Sequence, residues 1–198
     1  MSKEYFRPSV TADAVITRHS PKTGRLELLL IRRSENSKAF PNCLALPGGF
    51  VDADDEDVEA CCIREVKEET GLDVRFLEQV GTWTKNGRDP RGPVHSTAFL
   101  VDVDNDGDAI AGDDASSLEW FEVSIERVTG GMARGPFDLI VMLGNKEKDE
   151  MIEIRTMKRI VGCRRIVESC ESAHRLAFDH ANIIATALTK DNRFTPLA

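Results

Sequence analysis

Glu65, Glu68 and Glu69 place three carboxylates at i, i+3 and i+4 behind the glycine-rich stretch Gly48-Gly49-Phe50. On a helix turning about 100° per residue they share one sector about 100° wide, so they form a single acidic face. Like charges crowded in this way repel unless water or a cation separates them, and hard oxygen donors suit Mg2+ or Mn2+. An arbitrary run of glutamates is more simply a solvated helix face. Three features of its surroundings favour a metal site here. Ile63 and Val66 offer a separate core face, Gly71 offers a C-cap, and Arg64 stands one turn before Glu68, where an i,i+4 ion pair would support it.

The stretch Arg88-Asp89-Pro90-Arg91-Gly92 is the second place for chemistry. Pro90 and Gly92 bend and stiffen a loop whose two arginines offer planar donors to phosphate or carboxylate, although an ordinary polar loop has the same composition. Trp83 precedes it and reads better as a core tryptophan than as a stacking platform, and of Trp120 and Phe121 at least one belongs in the core. Asp102 to Gly107, with Asp113, imitates the start of a calcium loop but follows a strand instead of a helix, so a solvated turn is the better reading. Asp179 and His180 read as capping and local hydrogen bonding at a helix head. The five cysteines, Cys43, Cys61, Cys62, Cys163 and Cys170, lack metal-type spacing and read as small buried thiols in a reducing compartment.

From Arg64 to Leu72 the chain resembles the Nudix hydrolase family, whose box runs Gly, five residues, Glu, seven residues, Arg-Glu, aliphatic, any, Glu-Glu, any, Gly, aliphatic. Glu56 lies seven residues before Arg64, but six residues separate it from Gly49, so either the loop carries one extra residue or Asp55 takes the Glu place. The resemblance implies attack of a metal-activated water on a diphosphate phosphorus, with Arg64, Glu65, Glu68 and Glu69 as the catalytic set. It implies Glu65 and Glu69 as direct ligands of Mg2+ (or Mn2+), Glu68 as a third ligand or one acting through water, and the Gly48 carbonyl as a backbone ligand. The general base stays open, with Glu147, Asp149 and Glu150 as candidates. Arg-Asp-Pro-Arg-Gly, Asp113-Asp114-Ala115 before Trp120-Phe121, and Leu176-Ala177-Phe178-Asp179-His180 resemble a branch containing ADP-ribose pyrophosphatases. Arg88 and Arg91 are then substrate-binding, and ADP-ribose yields AMP and ribose 5-phosphate. Alternatives are an ADP-ribose-sensing regulator and a hydrolase that cleans the pool of oxidised nucleoside triphosphates. Some regulators of this branch resemble a Nudix domain fused to a DNA-binding winged helix, for which the residues after His180 are too few. Related hydrolases also imply a homodimer.

These groups need elements to position them. Val10 to Thr17 and Leu26 to Ile31 read as strands joined by a turn, Leu44 to Leu46 as a short strand and Asp57 to Thr70 as the acidic helix. Val74 to Thr84, Thr97 to Val103 and Leu118 to Val123 read as further strands, a mixed order of α/β (α+β) type. The resemblance covers about residues 7 to 124 and implies the Nudix fold, a mixed β-sheet sandwiched between helices. Residues 1–198 are expected to form a single Nudix domain in which 125–173 is a less typical insertion. That insertion carries a β-hairpin near 137–157 with its turn at Gly144 to Lys146, and a closing helix over Ala173 to Lys190 follows. With 198 residues, 41% of them hydrophobic, one good core is within reach. A net charge of −8 speaks against a nucleic-acid partner but allows a small nucleotide reached through a cation. No apolar run is long enough to span a membrane and no apolar leader follows Met1, so a soluble, cytoplasmic protein without a membrane partner is expected.

Overall fold

The computed structural model describes residues 5–103, 115–127, 138–161, 164–171 and 174–190. Strand β1 (Ser9–His19) alternates its apolar side chains between two cores: Ala12, Ala14 and Ile16 face one and Val15 the other. Strand β2 (Leu26–Arg33) does the same, with Leu28 and Leu30 opposite Leu29. A strand patterned this way is buried on both faces and needs a layer on each side.

Helix α1 (Val58–Thr70) covers one face and helix α2 (His180–Thr189) the other. Between them, β5 (Val74–Trp83), β6 (Val94–Val103), β7 (Ala115–Arg127), β8 (Asp138–Asn145), β9 (Glu150–Val161) and β10 (Arg164–Glu171) extend the sheet in the order β10-β9-β8-β7-β2-β1-β6-β5. The short strands β3 (Leu44–Ala45) and β4 (Gly48–Phe50) pair with β2 and β1. Only β1 and β6 run parallel among these pairs, which makes the sheet mixed.

Several expectations are corrected. The acidic helix does bury one face, but that face is Cys61, Cys62, Val66 and Thr70, while Ile63 is 46% exposed. Being apolar did not bury Ile63, because the sheet meets the helix on the side of the two thiols. Burial pushes both thiols up to about 12, which leaves them inert. The hairpin over 138–161 is present, but its turn falls at residues 146–149, where Asn145 accepts from the Glu147 and Lys148 backbone N–H groups. A third strand, β10, follows it. The closing helix starts at His180, because Leu176 bridges to Leu44 and the chain takes positive φ at His174 and Phe178. The calcium-like run from Asp104 to Gly107 and the Asp113-Asp114 pair lie outside the described residues. Among the described residues no helix is long and apolar enough to cross a membrane.

Candidate active site

Helix α1 is bounded as its sequence demands. Asp57 caps it by accepting the Ala60 N–H at 2.8 Å, and Gly71 ends it in the left-handed region with its N–H on the Lys67 carbonyl. Its acidic face meets the Gly48–Gly49 turn. Glu69 Oε2 accepts the Gly48 N–H at 2.8 Å, and the Glu65 carboxylate occupies the space where a side chain on Gly49 would stand. Burial pushes Glu65 up, against the pull of Arg64. Glu68 is the most exposed of the three and turns to Arg64 Nη1 at 3.0 Å.

Arg64 is the hub of this loop. It binds Asp55 through Nε and Nη2, both at 2.9 Å, and also reaches Glu65, Glu68 and the Phe50 carbonyl. The fork on Asp55 holds that carboxyl well below the usual range, with help from the Asp52 N–H. Glu56, at the box position by its distance to Arg64, is exposed. Asp55, and not Glu56, is thus the carboxylate that the Arg64 fork binds.

Gly48 and Gly49 also line an open cleft, together with Thr11, Asp13, Arg88 and Asp89. Arg33, Arg91 and Phe178 line it as well. Arg91 lies over the rings of Phe50 and Phe178 at 4.9 and 5.3 Å, and Arg33 over Phe178 at 5.3 Å. Burial, and then the nearby Arg91, lower Arg33, while Glu69 acts on it in the opposite sense. Three arginines, Arg33, Arg88 and Arg91, thus line one cavity against two carboxylates, Asp13 and Asp89, and the positive balance beside the acidic face favours an anionic ligand there.

The two loop arginines differ. Arg91 is 39% exposed and braced by Asp89, whose carboxyl stays below its usual range despite burial. Arg88 is only 4% exposed, and its Nε and Nη2 are engaged by Asp179 at 3.0 and 2.6 Å. Behind it lies Asp13, which accepts from Ser96 and is raised to about 6 by burial. His180 accepts the Leu46 N–H on Nδ1 at 2.9 Å, so its proton sits on Nε2, 3.6 Å from Asp13. Burial lowers His180 to about 3 and keeps it neutral.

Asp179 makes no side-chain cap bond, so the capping reading of Asp179-His180 is replaced by these two long-range contacts. Asp13, Arg33, Phe178 and His180 escape a reading of the chain by local spacing. The signal for Asp13 is a carboxylate inside the otherwise apolar run Thr11 to Ile16. Trp83 is held from α2, its indole N–H donating to Asn182 at 2.8 Å. None of Glu147, Asp149 and Glu150 lines the Gly48 cleft. Glu150 is bound by Arg32 and Arg175 beside a second cavity, which Asp149 also lines.

Oxygen donors alone, set against a backbone without side chains, are a chemistry that fits a hard divalent ion. Glu65, Glu68, Glu69 and the Gly48 carbonyl would hold it. Among the described residues no three acidic, histidine or cysteine groups form a ready cage, since Glu68 is turned to Arg64 and Glu69 to the Gly48 N–H. These carboxylates would exchange such bonds for the ion.

The family model described as the NUDIX domain matches residues 8–136, and the chain belongs to that family. Its fold, a mixed sheet between two helices, is the Nudix fold. Over 120 residues it is 41% identical to an ADP-ribose pyrophosphatase of Methanocaldococcus jannaschii, covering 61% of this chain and 65% of that protein. Over 90 residues it is 42% identical to the ADPR responsive transcriptional repressor NtrR of Acinetobacter baylyi, covering 45% and 34%. Among solved structures, a MutT/nudix family protein from Enterococcus faecalis superposes with a TM-score of 0.68 at 31% identity, covering 95% of this chain and 63% of that one. The chain thus spans under two thirds of the length of each of these relatives.

Proposed function

We propose that this protein hydrolyses a nucleoside diphosphate linked to another group, with ADP-ribose cut to AMP and ribose 5-phosphate as the preferred reaction. The observation that carries the reading is the sharing of Gly48 and Gly49 between the acidic face of α1 and a cleft walled by Arg33, Arg91 and Phe178. One end of the ligand site is thus suited to a cation and the other to phosphate. Mg2+ or Mn2+, if held there, would supply a water of lowered pKa and neutralise charge on the phosphate oxygens. Glu65 and Glu69 hold the hard-oxygen side, Arg64 keeps Glu65 oriented, and Arg91 grips the diphosphate by charge-assisted hydrogen bonds. Similarity to an ADP-ribose pyrophosphatase and to an ADPR-responsive repressor supports ADP-ribose over other diphosphates.

The reading includes a cytoplasmic homodimer without a nucleic-acid partner. The buried thiols of Cys61 and Cys62, outside any disulfide, suit a reducing compartment, and among the described residues β10 and β5 end the strand order of the sheet, leaving edges that a partner can cover. Likeness to the repressor favours a second reading, ADP-ribose binding without turnover. A panel of ADP-ribose, dinucleotides, sugar nucleotides, dGTP and 8-oxo-dGTP with Mg2+ and with Mn2+ separates these. Release of AMP from ADP-ribose, lost at least a hundredfold in Glu69→Gln, is expected. A tenfold kcat/KM advantage for a triphosphate overturns the substrate, and binding without product overturns the hydrolase.

A further inference from the structure

We propose that Asp179 and His180, at the head of α2, are positioning residues: His180 sets the path of the Leu46–Gly49 segment and Asp179 sets the guanidinium of Arg88. The inference rests on the reading of the cleft as a metal-assisted nucleotide site. Both residues lie beyond the span 8–136 that the family model matches, on the far side of strands β8 to β10.

The segment from Leu46 to Gly48 is held from three directions. Ala14 N–H donates to the Pro47 carbonyl at 2.8 Å, Gly48 lies so close to Ala12 that no side chain would fit, and His180 Nδ1 takes the Leu46 N–H. The first two contacts come from β1 backbone. The third is a side-chain bond to a buried amide, 134 residues away in the chain, and the Gly48 carbonyl is two residues beyond that amide. Removing a partner bonded directly to a ligand changes metal affinity about 10- to 100-fold, and this bond, one step further out, is expected at the lower end of that range.

Asp179 has a cap position at the start of α2 and does not use it; its carboxylate reaches instead across 91 residues to fork onto Arg88. Arg88 Nη2 also lies 3.8 Å from Asp13. The turn that delivers both residues is conformationally costly, with Phe178 at φ 52 and His174 at φ 49. It is locked by backbone bonds from Leu44 N to the Arg175 carbonyl and from Ala177 N to the Leu44 carbonyl, both 2.8 Å. Strain held by such bonds at a cleft wall is what a positioning role requires.

Two amides test His180. Asn at this position puts a carbonyl oxygen near the place of Nδ1 and can accept the Leu46 N–H, whereas Gln puts its oxygen near the place of Nε2 and cannot. Mn2+ binding measured by calorimetry should weaken at least tenfold in His180→Gln and stay within about threefold in His180→Asn. Metal-free ADP-ribose binding should weaken at least threefold in Asp179→Asn, which keeps shape but drops the charge that orients Arg88. Equal Mn2+ affinity in the two amides overturns the His180 role, and unchanged ADP-ribose binding overturns the Asp179 role. If both amides abolish the cooperative thermal transition, His180 is a core residue and the proposal falls. Wild-type protein that binds Mn2+ but cleaves no nucleotide would refute the hydrolase reading alone, since the Asn and Gln comparison still decides this one.

Discussion

Gly48 and Gly49 are neighbours whose replacement by alanine should fail in opposite ways. At Gly48, φ is +149°, and an added Cβ would overlap the Ala12 carbonyl oxygen and lie 2.9 Å from Asp13 Cα. Both obstacles are backbone of the buried β1 strand and cannot turn aside. Strain of about 1–3 kcal/mol at such a φ, together with about 1–3 kcal/mol for overpacking, predicts a loss of roughly 2–6 kcal/mol. Against a typical total of about 5–15 kcal/mol this should lower Tm by on the order of 10 °C. At Gly49 the obstacle is the Glu65 carboxylate, whose Oε2 would be 2.6 Å from the new Cβ. That side chain can rotate, so stability should change by less than about 1 kcal/mol. Yet the carboxylate must retreat by roughly 1 Å to reach an ordinary contact of about 3.5 Å. A displacement of about 1 Å at a reacting centre is enough to lower kcat about a hundredfold. Differential scanning calorimetry and steady-state kinetics on the best substrate measure both effects. Gly49→Ala with wild-type kcat would refute the placement of Glu65 in the machinery, and Gly48→Ala with wild-type Tm would refute the packing of the loop against β1.

The Arg64 hub predicts that Asp55→Asn lowers kcat at least tenfold while Glu56→Gln does little, and similar losses in the two variants would return the box position to Glu56. Arg91→Ala should raise KM with little change in Tm. Arg88→Ala should destabilise by about 3–5 kcal/mol in urea melts, because it strands Asp13 and Asp179 without their cation. The reverse pattern would show that Arg88 is the exposed clamp. For pH, Asp13 titrates near 6 when folded against an ordinary 3.8, so its burial penalty is relieved as pH falls through 6 towards 4. His180 is lowered from 6.5 to about 3, so its contribution is lost over the window from 6.5 down to 3. The two slopes oppose each other between pH 6 and 4, at up to about 1.4 kcal/mol per unit each. His180→Asn should therefore lose less stability than the parent as pH falls across that range, and a steeper loss would contradict the assignment.

What was legible in the chain was local. Helical spacing alone puts Glu65, Glu68 and Glu69 on one face and Gly71 at its end, because a helix relates residues three and four apart whatever surrounds it. The alternating run of β1 and the apolar run of β2 likewise mark strands, while burial on both faces follows only from the helix on each side. Counting residues could not choose between Asp55 and Glu56. The choice is made by which carboxylate lies within 2.9 Å of the Arg64 fork. Nor could apolar character say that Cys61 and Cys62, and not Ile63, face the sheet. Arg88 and Arg91 look equivalent in sequence and both line the cleft, and only the arrival of Asp179 from the far end of the chain buries the one while the other stays exposed. The third added strand and the late start of α2 belong to the same class, since both depend on pairing with residues distant in sequence. Sequence by itself determined the acidic helix, its glycine loop and the chemistry they can support. Tertiary structure decided which residues face them, because the cleft is assembled from β1, β2, the Arg88 loop and α2, and contacts across 91 and 134 positions leave no periodic trace along the chain.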